Sequence, residues 1–134
     1  MSHLWQNPYA DTAFSNDPSG KKFSRMEDPA HLAFIRRLPS LISGEEPCEA
    51  CHIRFGDPRA KYRKPKTAKG RKPDDMWCVP MTAHEHRLQH AGNEQAFWSK
   101  IGIDPLEVAL ALWSISGDVE AGREIIAKAR RAAG

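Results

Sequence analysis

The chain has 134 residues, 28% of them charged and 40% hydrophobic, with a net charge of +3. That is the composition of one small globular domain, and it lacks an apolar run near the roughly 20 residues a membrane helix needs. The N-terminus has no basic stretch leading into an apolar one, as a signal peptide would, and three cysteines are too few and too odd for a disulfide framework, so a reducing cytoplasm is expected.

Residues 1–27 are polar and aperiodic, which predicts a flexible arm ahead of one domain over 28–134. "EDPAHLAFIRRLP" predicts a helix: Asp28 can cap it, Pro29 suits its first position, Leu32, Ile35 and Leu38 share a face, and Pro39 stops it. His31, in the first turn, is expected at the surface with no role. "CHIRFG" (51–56) and "MWCVPM" (76–81) predict two short strands of a hairpin, with Pro80 at an edge or at the strand's end. The loop between them is long for a compact domain, and such loops are usually functional.

That loop carries most of the charge. Residues 54–73 hold nine Lys/Arg and one acid, Asp57; this makes +8 and leaves −5 for the rest of a chain whose net is +3. A basic loop on an otherwise acidic protein is an electrostatic footprint for a polyanion. A solvated charge run has the same composition, and the segment alone does not separate the two readings.

Thr82 with Glu85 predicts a capping box and a helix starting at 82–83. Asn93, Asp104 and Asp118 are caps for three further helices, the second of which is expected to stop at Gly117. Leu106, Leu110, Trp113, Ile125 and Ile126 on these helices read as packing. Trp77, Trp98 and Trp113 could stack on bases, but their apolar spacing favours the core. The core of the domain is expected over 48–91 and a helical wrap over 93–134.

The first helix after the hairpin holds three of the six histidines, His84, His86 and His90. At about 100° per residue, His86 and His90 differ by about 40° and share a face, while His84 lies about 200° from His86. An i,i+4 histidine pair is the spacing with which one helix chelates one metal ion. Two surface histidines would look the same. A further histidine, His52, opens the first predicted strand.

Strand with histidine, loop, strand, helix with a histidine pair: this order resembles the ββα-metal, or His-Me, finger of HNH endonucleases. "HIRFGDP…GRKPDDMWCVPMTAHEHRLQHAGNEQAFW" is similar to one branch, common in phage and prophage genomes and related to the RecA-dependent phage HNH nuclease. The similarity covers about residues 30–118. It implies an α+β fold, a ββα-metal core with packing helices at both ends, and metal-dependent hydrolysis of DNA phosphodiesters. By the resemblance His52 is the general base, His86 and His90 hold the cation, and Asp75 orients the base, with Asp74 competing for that place. Mg²⁺ or Mn²⁺ is implied; imidazole ligands also suit Ni²⁺ or Zn²⁺. Arg54, two residues after His52, would share its strand face and touch the phosphate, unless it is an ordinary surface arginine. Lys61, Arg63, Lys64, Lys66, Lys69, Arg71 and Lys72 would grip flanking phosphates. DNA is the implied partner, with a recombination or phage protein as a further one.

The chain departs from the family in two places. Relatives that bind a structural zinc through four cysteines carry them at the positions of Ser40, Ser43, Thr82 and Glu85, so that zinc is not expected here, and the C-terminal helices would have to hold the finger. Cys51 stands where some HNH enzymes have an Asp or His metal ligand, although strand alternation turns it away from His52's face and a thiolate is a soft ligand for magnesium. Cys51 and Cys78 read more simply as small buried residues. Cys48 and Cys51 also form a C-x-x-C, which with Cys78 and a histidine could hold zinc. Two other functions therefore stand beside the nuclease: a non-catalytic nucleic-acid-binding finger, and a zinc-stabilised interaction module.

Overall fold

The computed structural model describes residues 25–68 and 71–134. Among the described residues, five helices surround a two-stranded antiparallel sheet, an α+β arrangement. In chain order the elements are α1 (Pro29–Arg36), β1 (Glu49–His52), β2 (Cys78–Met81), α2 (Ala83–His90), α3 (Glu94–Ile101), α4 (Pro105–Ser114) and α5 (Val119–Ala133). Among the described residues, no helix is long and apolar enough to cross a membrane.

Every helix starts where a short polar side chain can accept from its orphan amides. Asp28 accepts from the His31 N–H, Asn93 from Ala96, Asp104 from Leu106 and Glu107, and Asp118 from Ala121. The capping box is present: Glu85 N–H donates to Thr82 Oγ1 at 3.2 Å, and Thr82 N–H to Glu85 Oε1 at 2.9 Å. Helix α4 ends at Ser114, three residues before Gly117, whose φ of +94° starts the turn into α5.

The strands pair in one register, Glu49 with Met81, Ala50 with Pro80, Cys51 with Val79 and His52 with Cys78. Both are shorter than the sequence suggests. β1 stops at His52 because the next amides go elsewhere: after Ile53 N–H bonds Trp77 O, those of Arg54 and Phe55 donate to the Glu94 carboxylate on α3. Trp77 N–H bonds Asp74 O in a turn before β2. Pro80 lies inside β2, opposite Ala50, and its carbonyl accepts from Leu41 N–H at 3.0 Å, so no amide is needed there.

All four β2 residues are buried, with α1, α2 and α4 packed around the strand. Phe34, Ile35, Leu38, Leu41, Ile53, Met76, Trp77, Leu106, Leu112 and Ile126 belong to one continuous core. Trp77 and Trp98 are core side chains, as their spacing suggests. At Gly122 of α5 a Cβ would stand 2.8 Å from the end of the Leu38 side chain and 3.1 Å from the Phe34 ring, so both would have to shift to admit one.

Three expectations need correction. His31 is 0% exposed, not superficial: its Nδ1 is 2.7 Å from Ser116 Oγ, and its ring meets Trp113 edge-on with centroids 4.9 Å apart. Burial pushes its pKa down to about 4. The arm expected over 1–27 lies outside the described residues except for 25–27, and those three are docked. Asp75 N–H bonds Met26 O, Met26 N–H bonds Asp74, and Arg25 reaches the Asp75 carboxylate. Lys64, in the basic run, is 3% exposed, and among the described residues its ammonium donates to its neighbour's carbonyl at 3.4 Å. Desolvation lowers its pKa to about 8.

Ser40 and Ser43 meet Thr82 and Glu85, a pair some forty residues away, in one hydrogen-bonded node. Ser40 Oγ donates to Glu85 Oε1 at 2.6 Å and accepts the amides of Ile42 and Ser43, each at 3.0 Å. Burial alone would raise the Glu85 pKa; hydrogen bonds from Ser40, Ser43 and Thr82 outweigh it and hold the carboxyl below its ordinary value. From α5, Arg130 donates to the carbonyls of Ile42 and Ser43, so the C-terminal helix clamps the same turn.

Candidate active site

Alternation along β1 separates its side chains into two groups. Cys51 lies under α2: its sulfur accepts from Gln89 Nε2 at 3.2 Å, and Gln89 in turn accepts from Trp98 Nε1 at 2.7 Å. Cys51 is fully buried, and desolvation pushes its thiol up to about 12. A sulfur buried under α2 and bonded by Gln89 packs as a core side chain. Cys48 and Cys78 are buried as well, and burial raises both thiols.

His52 instead meets Asp75. Its Nε2 lies 2.8 Å from Asp75 Oδ1, and the carboxylate also takes the Arg25 guanidinium and, at 2.8 Å, the Asp28 amide. Asp75 is 2% exposed. Burial would raise its pKa, but the bonds from His52 and the Asp28 amide and the charge of Arg25 outweigh that, so it remains ionised. An ionised acceptor fixes the His52 tautomer: the proton sits on Nε2, and Nδ1 carries the free lone pair. Burial lowers the His52 pKa; Asp75 opposes this, while Arg25 and Lys72 add to it, and the net shift is downward. The ring is therefore neutral at neutral pH, the state a general base must start from. Asp74, the competing candidate, holds the Met26 amide instead.

On α2, Glu85 and Gln89 face inward while His86 and His90 flank them. The two rings lie 4.6 Å apart, centroid to centroid. His86 Nδ1 is 2.8 Å from Glu49 Oε1, so a carboxylate from β1 orients this ring and leaves Nε2 outward. Burial lowers the His90 pKa, and the neighbouring His86 adds to the effect against Glu94. The sequence reading missed Glu49; the signal was its place two residues before Cys51, on the same strand face, meaningful only once α2 is known to cover that face. Among the described residues, no three His, Cys, Asp or Glu side chains converge as a ready-made metal cage.

The basic segment is not uniform. Arg59 is bound by Asp57, and Lys61 lies 4.0 Å from Glu107 and over the ring of Tyr62. Tyr62 is itself buried and donates to Asp104 at 2.6 Å, which ties this half of the loop to the core. Arg63, Lys66, Arg71 and Lys72 are exposed, without an acidic partner among the described residues. Lys69 lies outside the described residues. Arg54 follows the end of the strand, so it does not inherit a face from His52; its guanidinium donates to the carbonyls of Arg71 and, at 3.1 Å, Ala68. It lines an open cleft of about 670 Å³ together with Lys66 and His90. Cations thus lie by both histidines: Lys72 acts electrostatically on His52, and Arg54, held by its two carbonyls, lines one cleft with Lys66 and His90.

The chain matches no family model, no curated protein and no solved structure.

Proposed function

We propose that this protein is a metal-dependent DNA endonuclease of the HNH type. The observation that carries the reading is the His52–Asp75 pair: a neutral imidazole held by a buried, ionised carboxylate that is itself fixed from two other directions. A residue kept only for packing or for charge has no need of that arrangement. His52 takes a proton from the attacking water at Nδ1, and the hydroxide adds to phosphorus as the bond to the 3′-oxygen breaks. Solvent returns a proton to the departing oxygen.

His86 and His90 fit a divalent ion: both are imidazoles on one helix face, and Glu49 leaves the outer nitrogen of His86 available. When bound there, such an ion would neutralise the scissile phosphate and the leaving oxygen. Two imidazole donors suit Mn²⁺, Ni²⁺ or Zn²⁺ better than Mg²⁺. Cys51 is left out of this ligand set because its sulfur is fully buried and already bonded by Gln89. Arg54, Lys66, Arg71 and Lys72 hold phosphates on either side of the cut, which gives affinity without sequence choice.

The test is nicking of supercoiled plasmid with Mg²⁺, Mn²⁺, Ni²⁺ or EDTA, beside His52→Ala and His90→Ala. Cleavage that needs metal and is lost in both variants is expected. DNA binding without cleavage under every metal would replace the nuclease by a binding module. Zinc retained through purification, with unfolding on chelation, would point to the interaction module.

A further inference from the structure

We propose that the cleft beside His90 is a subsite for an unpaired nucleobase, with Phe55 as its stacking platform, so that the strand cut is single-stranded or locally unpaired DNA. The position of this subsite next to the scissile phosphate rests on the nuclease reading.

Phe55 is half-buried. It packs against the core and also lines three neighbouring clefts, one of them shared with His90. Two backbone features hold it. The amides of Arg54 and Phe55 both end on Glu94, at 3.0 and 2.9 Å. The next residue is Gly56, where a Cβ would stand 2.6 Å from Lys66 N and 2.9 Å from Lys64 O. The backbone of 64–66 therefore lies directly against Gly56 and walls the groove. A side chain at 56 would push that wall away.

The groove has the two parts that single-strand binding combines, positive charge and an aromatic ring, and beside them a side-chain amide. Arg54 and Lys66 supply positive charge on the cleft that contains His90. Phe55 supplies a core-backed aromatic ring. Gln95 lines the same three clefts as Phe55, and its exposed amide makes no hydrogen bond among the described residues, so it can reach a base edge. In an intact duplex the base faces are already stacked on one another, and only phosphates and groove edges are presented. An aromatic floor gains from the substrate only when a base is unpaired. Trp77 and Trp98, by contrast, are spent on the core, at 0% and 2% exposure.

The experiment is fluorescence anisotropy in EDTA, which prevents cleavage. The probes are a labelled oligodeoxythymidylate of about twelve nucleotides and a hairpin duplex of equal charge. Wild type is compared with Phe55→Leu, Phe55→Tyr and Gln95→Ala. Wild type should bind the single strand about tenfold more tightly than the duplex. Phe55→Leu should lose about tenfold on the single strand and nothing on the duplex, Phe55→Tyr should restore it, and the exposed Gln95→Ala should lose roughly two- to tenfold on the single strand alone. Equal binding of both DNAs by wild type, or equal losses on both in the variants, overturns the subsite. A melt of Phe55→Leu checks its fold, and Gln95→Ala decides the matter if that variant is unstable. A wild type that nicks plasmid but has no single-strand preference overturns the subsite alone. One that keeps the preference and never cuts supports the subsite and overturns the nuclease.

Discussion

His31 and His52 are both withdrawn from water, and both have their proton affinity lowered by burial. Their partners and their exposure differ. His31 meets a serine hydroxyl, Phe34 and the edge of Trp113, and its Nε2 finds no hydrogen-bond partner among the described residues. His52 meets an ionised carboxylate that fixes its tautomer, and it retains partial exposure. Burial by itself makes a neutral imidazole. Burial against an anchored carboxylate makes one with a defined lone pair and a route to solvent, which is what proton transfer requires.

The sharpest way to break that contrast is Asp75→Asn. The amide can still bond His52, but the charge and the tautomer control are lost. We expect nicking to fall by about 10²–10⁴-fold, as in His52→Ala, while a conservative change at His31 leaves it unchanged. If Asp75→Asn cuts normally, His52 is not working as a base through Asp75.

The second effect belongs to His31 and concerns stability. The unfolded histidine takes a proton near pH 6.5 and the folded one only near pH 4, so the unfolded state binds more protons between these values. Stability is complete above pH 6.5 and declines as the pH falls towards 4, by about 3 kcal/mol for this group. Urea midpoints from pH 7 to 4 should show a steeper acid loss in wild type than in His31→Leu. Parallel curves would mean that the ring is not buried neutral.

Ser40→Ala, which removes the hydroxyl at the node joining the Ser40–Glu45 turn to α2, should cost about 1–2 kcal/mol in denaturant unfolding. No loss would show that Glu85 is satisfied by the remaining Ser43 and Thr82 contacts. The smallest effect separates the two halves of the basic segment. Lys66→Ala or Lys72→Ala should lower the salt slope of DNA binding by about one, and Lys61→Ala should change it less, because Glu107 lies beside it. Equal slopes would mean that the loop binds only as a diffuse charge.

Much of this was legible in the sequence because it is local. Asp28, Thr82, Asn93, Asp104 and Asp118 act within four residues of their own positions, and a cap needs nothing else. The shared face of His86 and His90 follows from helix geometry alone. What escaped was set by distant partners. Glu94 ends β1 from forty residues away, Ser116 and Trp113 enclose His31 from beyond α4's midpoint, and Glu49 reaches His86 only once the strand is covered. Lys64 was grouped with phosphate-binding lysines by composition. Its burial follows from the antiparallel bridge between Asp57 and Lys64, which folds the loop back on itself.

The docking of residues 25–28 onto Asp74 and Asp75 makes the doorway of the domain part of its working parts. The chain reaches α1 across the same carboxylate that aims His52. Force, a fusion or a trimmed end applied just ahead of Met26 would be felt at the imidazole before it was felt in the core. The exposed residues 130–134 offer a handle that leaves this doorway untouched.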